Sequence, residues 1–246
     1  MRQKILALGH DDATSWVANS LVGRGIETVR FFEVPESLNV IKQDNYDMVV
    51  VDSAMPDVES VCFRIIWLCR LRVAVVSRDL EYDMQLLTPL GIDAFLPADS
   101  PQSEVISDIE TICKRGPHKF DSVRVLAIED DKHIREAIRL CFRIFWPEAE
   151  LVFAEEGQSG VNIIKNKAMD LVMLDLGLPD ISGFEVLNWI RNFSKVPVIV
   201  LTAAREQENV VRAIKAGAND YVVKPFKQME LMPRIRKNIA QYALIK

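Results

Sequence analysis

Between Val123 and Phe226 lie four short, mostly apolar runs with no period-2 alternation of polar residues, and each stops at a polar signal. Val123 to Ile128 is followed by Glu129, Asp130 and Asp131; Leu171 to Leu174 by Asp175; Val198 to Leu201 by Thr202; Tyr221 to Val223 by Lys224 and Pro225. Runs of this length and composition read as strands buried on both faces, which demands a parallel sheet covered by helices on each side. A parallel sheet carries its site at the carboxyl ends of its strands, so the four signals converge on one edge. Clustered acids, one further Asp, a hydroxyl and a Lys on one edge supply what phosphoryl transfer needs: metal ligands, a nucleophile and phosphate-binding groups.

The same order stands earlier in the chain in altered form. Met48 to Asp52 matches Leu171 to Asp175, Ser53 to Asp57 matches Leu176 to Asp180, Val73 to Ser77 matches Val198 to Thr202, and Leu90 to Phe95 matches Ala216 to Tyr221. At the site positions the copies part. Gly9 and His10 stand where Glu129 and Asp130 stand, and Ala98 stands where Lys224 stands. An internal repeat in 246 residues implies two domains, each long enough to bury its own core.

Amphipathic helical patterns alternate with the strands throughout, as βαβ units require. Strands are expected near 3–8, 27–32, 47–52, 73–77 and 93–97, then near 122–128, 150–154, 170–175, 197–201 and 220–223. Helices are expected near 13–22, 36–43, 58–70, 81–89 and 102–114, then near 132–145, 157–167, 182–193, 206–216 and 228–243. The fold class is α/β: two tandem doubly wound (βα)5 flavodoxin-like domains, each with a five-stranded parallel sheet, at 1–115 and 122–246, joined by a linker over 116–121 containing Gly116-Pro117. Asp11 and Asp12 are expected to cap the first helix, and Asp180 and Ser182 to serve the turn and start of the helix after Asp175.

Composition narrows the class. Apolar residues make up 49% of the chain, which fits a folded protein. No apolar run is long enough to span a bilayer and the N-terminus lacks a signal-peptide pattern, so a cytoplasmic protein without membrane contact is expected. The net charge of −5 argues against direct nucleic-acid binding. The four cysteines have no metal-ligand spacing and read as free thiols. A DNA-binding or enzymatic output domain is not expected.

Residues 122–245 resemble a response regulator receiver domain of two-component signalling. The likeness rests on Glu129-Asp130-Asp131, Leu174 to Asp180, Leu201-Thr202-Ala203 and Asp220 to Phe226, four motifs in the right order and spacing. It implies that Asp175 is the nucleophile taking a phosphoryl group from a histidine kinase or histidine phosphotransfer protein. A carboxylate needs no general base, being ionised at neutral pH. It further implies Mg2+ held by Asp130, Asp175 and the Gly177 carbonyl, with Glu129 acting through water; Lys224 pairing with a phosphoryl oxygen; Thr202 donating its hydroxyl; and Tyr221 turning inward as Thr202 moves. Small residues at Gly177 and Ala204 imply slow self-dephosphorylation. The segment Asn219 to Arg236 is similar to receivers of winged-helix regulators, which marks Asp220, Glu230, Arg234 and Arg236 as a candidate homodimer face.

Residues 1–113 resemble the same fold with a degraded site. Gly9 and His10 offer no carboxylate pair and Ala98 no cation, so Asp52 and Ser77 are expected to be remnants, with Asp52 not phosphorylated. An apolar surplus at Val61, Phe63, Ile65, Ile66, Trp67 and Leu68 hints at a partner surface. The expected function is that of a response regulator in a phosphorelay, acting through protein contacts to an unknown target; it is not a classical enzyme. The competing readings are a phosphate sink and a phosphorylation-independent scaffold. A haloacid-dehalogenase-type phosphatase is disfavoured because Gly177 fills the place of its second Asp.

Overall fold

Apolar runs covered on both faces become the central strands of two sheets. The computed structural model describes residues 3–9, 11–21, 24–31, 41, 44–116, 122–203 and 207–243. The chain divides into two units, Met1–Lys119 and Phe120–Lys246. In the first, β1 (Lys4–Leu8), β2 (Glu27–Phe31), β3 (Met48–Asp52), β4 (Arg72–Ser77) and β5 (Ala94–Pro97) pair in the order β2-β1-β3-β4-β5, all parallel. In the second, β6 (Arg124–Ile128), β7 (Glu150–Ala154), β8 (Leu171–Asp175), β9 (Val198–Ala203) and β10 (Asp220–Lys224) pair in the order β10-β9-β8-β6-β7, again parallel. Read within each unit, the two orders are the same flavodoxin-like one. The middle strands β3 and β8 are buried along their whole length, and the edge strands β2 and β7 are only partly covered. That contrast is why the middle strands carry no polar alternation.

The first unit's helices are α1 (Asp11–Leu21), α2 (Val58–Arg64), α3 (Leu80–Leu87) and α4 (Gln102–Cys113); the second unit's are α5 (Lys132–Phe145), α6 (Gly157–Asn166), α7 (Gly183–Phe193), α8 (Gln207–Lys215) and α9 (Gln228–Ala243). On α5, Ile138, Cys141, Phe142 and Phe145 are buried, the i, i+3, i+4, i+7 stripe that seats a helix on a sheet. Ser182 and Glu185 form a reciprocal capping box that starts α7. The helix expected near 36–43 lies outside the described residues except for Ile41, as does the linker beyond Gly116. Asp11 and Asp12 are the first residues of α1 rather than its cap, a place the helix dipole also favours for acids.

The apolar surplus near Trp67 is resolved by a change of helix type. After α2 the chain continues as a π-helical turn over Ile65–Cys69, ended by Arg70 at φ 61. Val61, Phe63, Ile65, Ile66 and Trp67 are all buried, and only Leu68 is partly exposed. The wider i→i+5 turn rotates successive side chains onto the sheet where an α-helix would send some outward. The surplus that hinted at a partner surface is core. All four cysteines are free; Cys62, Cys113 and Cys141 are buried and Cys69 is partly so. Among the described residues no helix is long and apolar enough to cross a membrane.

Candidate functional site

At the carboxyl end of β6 three consecutive acids take three different places. Glu129 has no exposed surface, and its amide donates to the Ala154 carbonyl at 2.9 Å. Asp130 is exposed. Asp131 caps α5, accepting from the amides of His133 at 2.6 Å and Ile134 at 3.2 Å. Those bonds, from Ile134 and then His133, hold the exposed Asp131 carboxyl below its ordinary range. Asp175 ends β8, the strand between β6 and β9. One carboxylate oxygen from each of Glu129, Asp130 and Asp175 lies within 4.8 Å of the others, the only such group among the described residues.

Strand register brings up the remaining members. Leu201 pairs with Asp175, so Thr202 stands one residue beyond it; Val223 pairs with Thr202, so Lys224 stands one residue further. Thr202 is buried, with its hydroxyl 3.5 Å from the Ala203 carbonyl oxygen. The Lys224 ammonium lies 2.7 and 2.9 Å from the two Glu129 oxygens and 2.9 Å from Asp175 Oδ2. The Lys224–Pro225 peptide bond is cis. Tyr221 is partly buried against the core, with the Arg234 guanidinium 5.7 Å from its ring centre.

One ammonium facing three carboxylates leaves the cluster with a net double negative charge when all are ionised. Burial pushes the Glu129 carboxyl up to about 7; Asp175 adds to the rise, and the bond from Lys224 opposes it without prevailing. Burial works against the Lys224 ammonium, but its bonds to Glu129 and Asp175 outweigh that and hold its pKa above the ordinary value. Excess negative charge on hard oxygen donors fits a divalent cation of the Mg2+ type. Gly177 is exposed beside Asp175: a Cβ there would lie 3.9 Å from Asp175 Oδ2.

Gly183 is required for a different reason. A Cβ at this position would sit 2.3 Å from the Asp175 carbonyl oxygen and 2.6 Å from Leu176 Cα, both backbone atoms. Gly183→Ala is expected to displace the end of β8, cost about 2 kcal/mol in urea unfolding and weaken Mg2+ binding. Wild-type stability and cation affinity in that variant would refute the steric argument.

Three residues that sequence reasoning missed or misplaced hold these loops. Arg135 Nη1 donates to the Glu129 carbonyl at 3.0 Å and the Asp130 carbonyl at 2.6 Å, and its Nη2 pairs with Glu155 at 2.8 Å. Asp180 serves its own turn through the Ile181 amide, while Ser182 and Glu185 start α7. Its carboxylate also accepts from the amides of Gly157 at 2.8 Å and Gln158 at 2.9 Å, capping α6 from another loop. In the first unit, Arg78 Nη1 lies 2.7 Å from Asp52 Oδ1. The Asp180 and Arg78 contacts span loops or strands remote in sequence, and Arg135 reaches back from α5 to main-chain carbonyls five and six residues before it, so no side-chain pattern announces any of the three.

The first unit's edge is built differently. The Asp52 side chain has no exposure; Oδ1 takes the Arg78 guanidinium and the Ala54 amide at 3.0 Å, and Oδ2 is buried without a hydrogen bond among the described residues. The Asp52 carboxylate in turn raises the Arg78 pKa. Ser77 donates its hydroxyl to Asp83 Oδ2 at 2.6 Å, a buried pair that ties β4 to α3. Gly9 has φ +140, and a Cβ there would lie 2.3 Å from Asp52 Cβ. Ala98 is exposed in the turn after β5, its amide donating to the Ser77 carbonyl at 2.8 Å. His10 and, in the second unit, Ala204 lie outside the described residues.

The residues of the candidate dimer face pair within the chain. Arg234 lies 2.8 Å from Asp220 and 3.9 Å from Glu230, and Asn238 donates to Asp220 at 3.3 Å. Arg236 is partly buried on the same helix.

Residues 125–236 match the family model for the response regulator receiver domain. The chain is 38% identical over 112 residues to the transcriptional regulatory protein KdpE of Mycobacterium tuberculosis (strain CDC 1551 / Oshkosh), covering 46% of this chain and 49% of the relative. It is 39% identical over 115 residues to the cell cycle response regulator CtrA of Brucella ovis, covering 46% of this chain and 48% of that one. The chain spans about half the length of the curated relatives it matches. Among solved structures, the receiver domain of sensor histidine kinase PA1611 from Pseudomonas aeruginosa, with magnesium coordinated in its active-site cleft, is similar at 27% identity and a TM-score of 0.45, over 48% of this chain and 98% of that one.

Proposed function

We propose that the second unit is the phospho-accepting receiver of a two-component phosphorelay, with Asp175 as the acceptor. The observation that carries this reading is the placement of one ammonium, Lys224, against Glu129 and Asp175, with a third carboxylate, Asp130, within 4.8 Å. An Asp175 oxygen attacks phosphorus, the phosphorus–nitrogen bond of a phosphohistidine breaks, and the neutral imidazole leaves after taking up a proton. Asp130, Asp175 and the Gly177 carbonyl would hold Mg2+, with Glu129 behind them; the cation, when bound, neutralises charge between two anionic reactants. Lys224 exchanges part of its carboxylate pairing for a phosphoryl oxygen as a mobile point charge. Thr202 donates its hydroxyl to a second one, and Tyr221 follows. The donor is a histidine kinase or histidine phosphotransfer protein, and the output is a protein contact.

The first unit, in this reading, is a pseudo-receiver. Arg78 already pairs with Asp52, and Ser77 is bonded to Asp83, so neither Asp52 nor Ser77 is available to an incoming phosphoryl group. Incubation with acetyl phosphate and Mg2+, followed by intact-protein mass measurement, tests both halves. One phosphoryl group is expected on wild type and on Asp52→Ala, and none on Asp175→Ala. Labelling that survives Asp175→Ala but vanishes in Asp52→Ala would reverse the assignment, and no labelling of wild type would leave a scaffold.

A further inference from the structure

We propose that Arg135 is the positioning residue that sets the divalent-cation affinity of the acidic cluster, with Glu155 as its tether. The inference rests on the reading above. The Glu129 carbonyl belongs to the peptide plane before Asp130, and the Asp130 carbonyl to the plane after it. One nitrogen, Arg135 Nη1, bonds both, at 3.0 and 2.6 Å. Two planes held at one point fix φ and ψ of the residue between them, and so the direction in which Asp130 projects its carboxylate. Asp130 needs this more than its neighbours do: Glu129 is locked by burial and Lys224, and Asp131 by its cap bonds, whereas Asp130 is exposed at the strand end.

The guanidinium is itself held. Its side chain is 12% exposed, and Nη2 pairs with Glu155, which is 70% exposed, at 2.8 Å. Glu155 directly precedes the α6 amino end that Asp180 caps from the loop after β8. Arg135 thereby links the Asp130 loop to the same turn that steadies the loop after Asp175, bringing two cation ligands under a common brace.

Charge and geometry predict opposite signs for the loss of Arg135, which makes the proposal testable. A cation beside a metal site repels the metal, so on electrostatics alone its removal tightens Mg2+ binding. A positioning role means that removal weakens it, by about tenfold, as is usual for groups that orient metal ligands. The experiment is calorimetric titration of the full chain with Mg2+, comparing wild type, Arg135→Ala, Arg135→Lys and Glu155→Gln, each checked for wild-type circular dichroism. Arg135→Ala is expected to bind about tenfold more weakly, Arg135→Lys to recover only part because an ammonium lacks the planar fork, and Glu155→Gln to show a smaller loss. If Arg135→Ala does not fold, Arg135→Lys carries the test: it keeps the charge, so electrostatics alone predicts no change and the positioning role predicts weaker binding. Unchanged or tighter binding in the variants overturns the positioning role while leaving the phospho-acceptor reading intact. Failure of wild type itself to bind Mg2+ overturns both.

Discussion

Replacing Lys224 with alanine is expected to lower the thermal midpoint of the second unit by on the order of 10 °C at pH 8 without Mg2+, and by much less at pH 5.5. The variant leaves Glu129, which has no exposed surface, without its cation, a loss of about 3 kcal/mol for a buried pair broken on one side. The sign of the pH effect follows from Glu129. Its carboxyl pKa is raised from 4.5 to about 7 in the fold, so the native state holds that proton more tightly than the unfolded chain does. The resulting stability is present below the ordinary carboxylate value and is lost as pH rises through about 7. Without the Lys224 attraction the folded value climbs further; at pH 5.5 Glu129 is then neutral and the missing ammonium costs little. Calorimetric melts at the two pH values measure the difference. An equal loss at both would mean that Lys224 stabilises the fold by packing rather than by holding a buried anion.

In the first unit the largest effect is expected from Arg78→Ala. It strands the Asp52 carboxylate, which has no exposure, with only the Ala54 amide as hydrogen-bond donor among the described residues. Because the Arg78 side chain is itself 47% exposed, the loss is discounted to about 2 kcal/mol. Urea unfolding with and without Mg2+ separates the units, since only the second is expected to respond to the cation. The Mg2+-insensitive transition moves to lower urea in Arg78→Ala and returns when Asp52→Asn is added, because the amide removes the stranded charge. If Asp52→Asn does not restore it, Arg78 is not the counter-ion of Asp52.

The parallel strands were legible because a middle strand covered on both faces must be apolar throughout, as Met48 to Val51 and Leu171 to Leu174 are. Residues at the strand ends were legible because register carries them to one edge: Thr202 follows the partner of Asp175, and Lys224 follows the partner of Thr202. What the sequence did not disclose depends on which side chain reaches across a loop. Asp180 sits next to the start of α7 in sequence but caps α6, because the two loops meet in space. Arg135 looks like one more surface charge on an amphipathic helix until its two carbonyl partners are seen. Arg78 follows Ser77 with nothing local to tie it to Asp52. The π-helical turn was hidden too: a surplus of apolar residues predicts excess burial but not the change in helical repeat that achieves it.

Gly9 limits how much charge the edge of the first unit can carry. With φ +140 and no room for a Cβ beside Asp52, this position admits no acidic side chain while the surrounding backbone stands as it does. A carboxylate placed at position 9 would collide with Asp52 before any cation could bridge the two. Backbone shape at one residue thus keeps the acidic end of β3 to a single carboxylate, matched to a single guanidinium.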